Sequence, residues 1–436
     1  MVNDLMNVID FDACGLDMHR MASKLFPICR SITGDGLRKT LAIIAREIPL
    51  QITEVPSGTR VFDWIVPREW NIRGAWIKDS SGRRIVDFAD TNLHVVGYST
   101  PVDATVSLAE LEKHLYSLPS QPDAVPYITS YYEERWGFCL THRCRQELAD
   151  GDYHVFIDSD LSEGSLTYGE VLIPGETRDE IFLSTYVCHP SMANNELSGP
   201  VVATYLVKWL LTRPRRYSYR VIFVPETIGS LTYLSRNLDS MRRHVVAGFN
   251  LTCLGDGRAY SFLPSRNGDT LADRVALNVL RHEHPEFIQY TFLDRGSDER
   301  QYCSPGVDLP VVSVMRSKYG AYPEYHTSLD DLNLVTPAGL QGGFDVVRMC
   351  LDLLENNYFF RTTCLGEPQL GRRGLYPTLS TRESSQQVQE MMNLLAFADG
   401  TADLIEISNC IGVPARRLHS LAQTLGAAGL LTAVSG

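Results

Sequence analysis

The chain has 436 residues, which is enough for two or three domains, and 44% of them are apolar, so a sizeable core can form. Lys and Arg number 40 against 52 Asp and Glu, a net charge of −12. This excess of acid disfavours a nucleic-acid partner, because phosphate backbones repel an acidic surface. The ten cysteines include no CxxC pair, which is typical of a reduced protein and not of a disulfide framework.

The sequence predicts no targeting segment and no membrane span. The first residues, MVNDLMNVIDFD, are acidic where a signal peptide is basic. The longest apolar stretch, 200–211, is interrupted by Lys208 and is too short to cross a bilayer. We therefore expect a cytoplasmic protein with no membrane partner.

The first predicted elements, between residues 15 and 50, are mainly helical, because apolar residues in RSITGDGLRKTLAIIAREI recur at the spacing of one helix face. From about 55 the pattern changes to short aromatic and β-branched runs separated by Gly and Pro, which favours a β-rich module. We predict that this module, residues 56–140, is inserted into a domain formed by residues 1–55 and 141–360.

The stretch from about 150 to 357 alternates apolar strands with amphipathic helices. The predicted strands are near-continuous apolar runs, as expected for strands buried on both faces; they cover 180–187, 219–225, 245–254 and 309–315. This alternation predicts an α/β fold, with a mainly parallel mixed sheet flanked by helices.

A Gly- and Pro-rich linker is predicted over 361–385, and three short helices follow in 386–436. The tail resembles a winged-helix or helix-turn-helix unit, and we expect a winged-helix domain there. It carries two arginines, Arg416 and Arg417, against four acidic residues, a weak footprint for phosphates. We therefore expect the tail to serve packing or dimerisation, which would make the protein a homo-oligomer, and not DNA binding.

Polar side chains stand next to several of the predicted strands. Because the carboxyl ends of parallel strands meet at one edge of a sheet, where ligands bind, these side chains are expected to lie close together. Imidazole and carboxylate are zinc ligands, so the sequence predicts a zinc site at this edge. The candidates are His189 and Glu196 after the first strand, Glu226 after the second, Asp256 after the third, and Asp298 and His326 on either side of the fourth.

Most of these residues lie in four segments, which are TYGEVLIPGETRDEIFLSTYVCHPSMANNELSGPVV, PETIGS, GSDERQY followed by LPVVSV, and YHTSLDDL. In order and spacing these segments resemble segments of zinc aminopeptidases and carboxypeptidases of the bacterial leucyl aminopeptidase type. The layout resembles most closely uncharacterised bacterial aminopeptidase-like proteins with an inserted β domain and a C-terminal winged helix. The resemblance implies a zinc exopeptidase-like fold, metal-binding His189 and His326, and Glu226 as general base.

Three positions depart from the pattern of that family. Asn194, Thr227 and Thr252 stand where the family has metal-binding carboxylates. Without these anions, two zinc ions about 3.5 Å apart would repel each other with little compensation. We therefore expect one zinc ion, bound by His189, Glu196 and His326, with Asp256 or Asp298 replacing Glu196 if that carboxylate faces elsewhere.

The predicted activity is zinc-dependent hydrolysis of an amide or peptide bond, with a peptide N-terminus or an acylated small molecule as the substrate. Glu226 acts as general base, and Tyr322 or Tyr325 donates a hydrogen bond to the oxyanion. Members of the resembling group suggest a biosynthetic role. Zinc–nitrogen bonds of about 2 Å require the rings of His189 and His326 to lie within about 6 Å of each other.

Two other hypotheses stay open. The missing carboxylates favour a binding or regulatory protein that kept the peptidase fold and lost its chemistry. A DNA-binding regulator rests on the tail alone.

Overall fold

The computed structural model describes residues 9–376 and 382–434, which form two compact units. One unit consists of the residues up to Gly268 together with Ile288–Asp345. The other consists of Asp269–Phe287 and the residues from Val346 onwards. Residues 377–381 of the predicted linker lie outside the described residues.

A mixed eight-stranded sheet, counted over the described residues, forms the core of the first unit. Its four central strands run parallel to one another, while neighbours on both sides pair antiparallel. In spatial order the strands are β1 (Gln51–Pro56), β10 (Ser165–Ile173), β12 (Ser218–Val224), β11 (Glu180–Tyr186), β13 (Val245–Asn250), β16 (Val311–Met315), β14 (Ser261–Leu263) and β15 (Ile288–Gln289). The predicted α/β fold with a mainly parallel mixed sheet is confirmed.

Helices connect and cover the strands of this sheet. α5 (Ser198–Leu211) is almost wholly buried, as expected for a helix that is apolar on all sides. The helices of the first unit are α1 (Gly15–Leu25), α2 (Asp35–Ile44), α3 (Leu108–Leu111), α4 (His142–Gln146), α5 (Ser198–Leu211), α6 (Ile228–His244) and α8 (Glu299–Tyr302), and α9 (Pro337–Glu355) begins in it. Within the described ranges, no helix has both the length and the apolarity needed to cross a bilayer.

A second, four-stranded antiparallel sheet, called the inserted sheet after the predicted module, is built from strands between residues 69 and 162. Its strands, in spatial order, are β5 (Arg84–Asp87), β4 (Glu69–Asp79), β9 (Asp152–Ser162) and β6 (Val102–Ser107). Short pairs join β2 (Arg60–Val61) to β3 (Trp64–Ile65) and β7 (Leu115–Tyr116) to β8 (Phe138–Cys139). β9 lies beyond residue 140, the predicted end of the β-rich module, and it pairs with β4 and β6.

The second unit contains a three-stranded antiparallel sheet with helices. The sheet has the order β18 (Asp399–Asp403), β17 (Phe359–Thr362) and β19 (Leu431–Val434). The helices are α7 (Leu271–Glu283), the end of α9, α10 (Arg382–Phe397), α11 (Leu404–Ile411) and α12 (Ala415–Ala427). The predicted linker 361–385 therefore includes the end of a strand and the start of a helix.

Candidate metal centre

Three of the predicted site residues lie around one cavity of about 320 Å³. His189 follows β11 and Glu226 follows β12, at the carboxyl ends of two adjacent parallel strands. His326 lies in the loop between β16 and α9. The sheet therefore brings together side chains that are far apart in the sequence.

The two imidazole rings lie next to each other. Their centroids are 5.6 Å apart and their planes are inclined by 44°, which satisfies the predicted limit of about 6 Å. Nε2 of His326 is buried and has no hydrogen-bond partner among the described residues. A buried nitrogen without a partner costs free energy, so this atom is suited to a ligand. His326 also has a positive φ of 56°, an uncommon backbone conformation for a residue with a side chain.

The pKa of His326 suits metal binding. Burial, followed by the neighbouring His189, lowers this pKa to about 3. The imidazole is therefore neutral at pH 7, and the neutral form is the one that binds zinc. The ring of Tyr325 stacks on the His326 ring at a centroid distance of 3.8 Å and holds its orientation.

His189 has a carboxylate on each side. Its Nδ1 is 2.9 Å from Oε2 of Glu196, and its Nε2 is 3.5 Å from Oε2 of Glu226 in the cavity wall. Behind Glu196 lies Arg30, with Nε 3.3 Å from Oε1 of Glu196, and both side chains are fully buried. Glu196, a predicted ligand, thus contacts Nδ1, on the opposite side of the ring from Glu226. This contact fixes the ring orientation and leaves Nε2 available to a metal.

A second group of ligand atoms lies on the Nδ1 side of His189. Cys188, His189 and Glu196 each offer an atom within 4.8 Å of the others. Burial raises the pKa of the Cys188 thiol to about 11, which keeps it protonated and a poor ligand. The guanidinium of Arg30 next to Glu196 also repels a cation there. The Nε2 side is therefore the better candidate.

Glu226, which is half-buried, interacts electrostatically with the fully buried Asp298. Burial raises the pKa of Glu226, although His189 and Arg300 oppose the shift. Burial and then Glu226 raise the pKa of Asp298 to about 8. Oδ1 of Asp298 accepts hydrogen bonds from Thr227 N at 2.7 Å and Ser230 Oγ at 2.9 Å, so this predicted substitute ligand holds the start of α6.

Two predicted site residues have other partners. The carboxylate of Asp256 accepts hydrogen bonds from Asn194, from the backbone of Arg258 and from Ser317. Such a carboxylate is already satisfied and does not fit the role of a replacement ligand. The Tyr322 hydroxyl donates to Asp330 at 2.9 Å, which does not fit donation to an oxyanion. The sequence cannot reveal these partners, since it does not say where either side chain points.

Part of the cavity wall was missed by sequence reasoning. The inserted segment supplies aromatic side chains, and α8 supplies a cation. The Tyr127 ring lies 5.2 Å from the ring of His189 and 5.1 Å from that of His326. The sequence signals these aromatic residues only through the short aromatic and β-branched runs that predict the β-rich module. The missed wall residues are Trp64, Tyr127, Thr129, Tyr131, Tyr132 and Arg300.

Family models cover nearly the whole chain. A domain of unknown function, DUF4910, matches residues 19–357. The chain belongs to the DUF4910 family. A winged helix-turn-helix model matches residues 358–433 of this DUF4910 protein, which confirms the predicted winged-helix tail.

A relative from Clostridium acetobutylicum is 44% identical over 423 residues, which cover 96% of this chain and 97% of the relative. Its provisional name assigns it to polysaccharide biosynthesis and gives it an aminopeptidase-like domain. A crystal structure of a C. acetobutylicum protein, provisionally named a peptidase, has a TM-score of 0.92 with 43% identity and covers 98% of each chain. The predicted aminopeptidase-like relationship is confirmed.

The fold is shared with more distant enzymes. The zinc aminopeptidase of Bacillus subtilis has a TM-score of 0.57 and 12% identity, covering 77% of this DUF4910 protein and 93% of that enzyme. At this identity the likeness shows the fold alone. The DUF4910 protein therefore has the zinc aminopeptidase fold.

Proposed function

We propose that this protein is a metal-dependent amide hydrolase with a single zinc ion. The observation that carries the proposal is the pair of imidazoles, 137 positions apart in the sequence, whose rings lie 5.6 Å apart at one cavity next to Glu226. The zinc aminopeptidase fold supports the same reaction class.

The residues at the cavity fit a zinc ion. His189 and His326 would bind it through Nε2, since Glu196 occupies Nδ1 of His189 and Nε2 of His326 lacks a partner among the described residues. Two imidazoles are one protein ligand fewer than the three usual in catalytic zinc sites, and the remaining coordination positions would be left to solvent and substrate. When bound, zinc supplies Lewis-acid polarisation of a carbonyl group.

Glu226 is the general base in this proposal. Its carboxylate removes a proton from the water whose oxygen bonds to the carbonyl carbon, and it returns that proton to the nitrogen as the carbon–nitrogen bond breaks. The raised pKa of Glu226 brings its proton affinity closer to that of the groups it exchanges protons with. Glu196 and Arg30 hold His189 in place during this exchange.

The name of the C. acetobutylicum relative supports one substrate class. Its name places it in polysaccharide biosynthesis, which favours the amide of an N-acylated amino sugar over a peptide N-terminus. We therefore propose a biosynthetic deacylation, in which the amide of an acylated sugar is cleaved to a carboxylic acid and an amine.

Metal analysis of the purified protein tests the zinc site. We expect about one zinc per chain, and its loss in His189→Gln and in His326→Gln. His154→Gln is the matched control, because His154 lies on the inserted sheet, where its Nε2 contacts Asp103. Zinc-free wild-type protein, or unchanged zinc in both site variants, would contradict the proposal.

The rate of amide hydrolysis tests the assignment of Glu226 as the general base. Glu226→Gln should keep zinc, because Glu226 is not one of the proposed ligands, and should lower the rate of amide hydrolysis by about 100-fold or more. The measurement is release of acetate from N-acetyl amino sugars by the zinc-loaded protein. Equal rates in Glu226→Gln and wild type would reject the assignment of Glu226.

The second candidate is a binding protein that kept this fold and lost its chemistry. Two of the neutral replacements are engaged inside the protein, which favours it. Asn194 accepts from Gly255 N and donates to Asp256, and the Thr252 hydroxyl is 2.6 Å from that of Tyr186. This candidate predicts sugar binding without zinc and without acetate release.

A further inference from the structure

The mouth of the cavity carries two exposed aromatic rings. Trp64 and Tyr132 line the cavity, 39% and 57% exposed, with ring centroids 5.7 Å apart and planes inclined by 68°. Both belong to the inserted segment, and neither contributes to the proposed chemistry. Grouped exposed apolar side chains at a cavity are typical of a ligand-binding surface.

The same cavity is lined by an exposed cation. Arg300 lines the cavity and donates from Nη2 to Thr227 Oγ1 at 2.7 Å. It forms no ion pair with any residue that the structure describes, and its remaining N–H groups have no acceptor there. A guanidinium in this state offers a paired, planar site for a carboxylate.

Charge in the cavity argues against a substrate with a free amine. Glu226 is the single acidic side chain among the described residues that line the cavity, and it is needed as the base. An ammonium group would therefore have no carboxylate of its own and would face Arg300. Arg300 attracts an anionic substrate and repels an ammonium group.

We propose that the substrate is an N-acylated amino sugar that carries a carboxylate. Arg300 binds the carboxylate, and Trp64 with Tyr132 packs on the C–H face of the sugar ring, leaving its hydroxyls to water. This inference rests on the proposed function, since it places the amide at Glu226. It makes the inserted segment and α8 the specificity elements of the site.

Calorimetric titration with two matched sugars tests the inference. N-acetylglucosaminuronic acid and N-acetylglucosamine differ only at C6, where the first has a carboxylate. We expect wild type to bind the acidic sugar about tenfold more tightly, and Arg300→Gln to reduce this preference to about twofold or less. Trp64→Ala should weaken both sugars by a similar factor.

Arg295→Gln is the control for net charge. Arg295 is exposed, carries the same charge five residues earlier and lies outside the cavity wall, so the preference should stay about tenfold. Equal affinity of wild type for the two sugars, no binding of the acidic sugar, or an unchanged preference in Arg300→Gln overturns the inference.

Binding and hydrolysis separate this inference from the proposed function. If the acidic sugar binds through Arg300 and the zinc-loaded protein releases no acetate, the hydrolase proposal fails and the carboxylate site stands. If the two sugars bind with equal affinity and acetate is released from both, the carboxylate site fails and the hydrolase proposal stands.

Discussion

Arg30 and Glu196 form a buried ion pair behind His189, with no exposed surface on either side chain. Arg30 also donates to backbone carbonyls of the His189 loop and of Leu25. Burying two charges is costly, and their attraction offsets the cost only while both are present. The pair is therefore best understood as a device that positions His189.

Glu196→Gln should destabilise the protein strongly, because it leaves the buried Arg30 charge without its counter-ion. We expect a loss of about 3 kcal/mol in the free energy of unfolding, at the lower end for broken buried pairs because the backbone carbonyls still accept from the guanidinium. Urea denaturation measures it. Glu112→Gln is the control, since its pair with Arg145 is partly exposed and should cost less than about 1 kcal/mol. Equal losses in the two variants would contradict the assignment.

At the scale of elements, Glu69 joins three of them. It begins β4, its carboxylate pairs with Arg38 of α2, and it accepts a hydrogen bond from the backbone N of Ser165 at the start of β10 at 3.1 Å. The hydrogen bonds from Arg38, and then that from Ser165, lower the pKa of Glu69 to about 2 from its usual 4.5, against the opposing effect of burial. One carboxylate thus ties the inserted sheet to the central sheet.

Glu69→Gln should show a pH-dependent loss of stability. A carboxylate with a lowered folded-state pKa stabilises fully above pH 4.5, and this stabilisation is lost as the pH falls towards 2, because the unfolded chain takes up the proton first. We expect a loss of about 1–2 kcal/mol at pH 7, moderated by solvent around Arg38, and a smaller loss at pH 3.

Chemical denaturation at several pH values measures this difference. Asp35→Asn is the matched control, because Asp35 also pairs with Arg38 but is largely exposed, and it should change stability by less than about 0.5 kcal/mol. A loss in Glu69→Gln that stays constant from pH 7 to pH 3 would count against the lowered pKa.

At the scale of the whole molecule, the boundary between the compact units differs from the boundary between the two matching family models. The DUF4910 match ends at residue 357 and the winged-helix match begins at residue 358. The second compact unit, however, also includes α7, which lies far earlier in the sequence. Arg274 of α7 pairs with Asp403 and Glu406, and Asn278 donates to Ser408 at 2.8 Å. The second unit is therefore built from two separate stretches of chain.

A chain that ends at residue 357 should be less stable than the full chain, because α7 loses these partners. We expect a lower unfolding midpoint by several degrees and more binding of a hydrophobic dye. Asn278→Ala in the full chain is the milder test, with an expected loss of about 1–3 kcal/mol from a buried hydrogen-bonding residue. An unchanged unfolding midpoint in both proteins would show that the boundary between the two family models, at residue 357, also separates the units that fold independently.

Much of the fold was predictable because it depends on patterns that are local in the sequence. The four parallel strands were apolar runs, and the structure places them within a few residues of the predicted bounds. β9 was not among these predicted strands, and an alternating pattern would in any case mark a strand without identifying its partner. It pairs with β4 and β6, and only the three-dimensional arrangement shows this.

The candidate site was likewise predictable only in part from the sequence. Residue type and position at strand ends were enough to indicate His189, Glu226 and His326, because parallel strands deliver their carboxyl ends to one edge of the sheet. The direction of each side chain was decided by packing. Tertiary contacts turned Glu196 towards Arg30 and Tyr322 towards Asp330, and they brought Arg300 to the cavity, because hydrogen bonds between distant segments leave no periodic trace in the sequence.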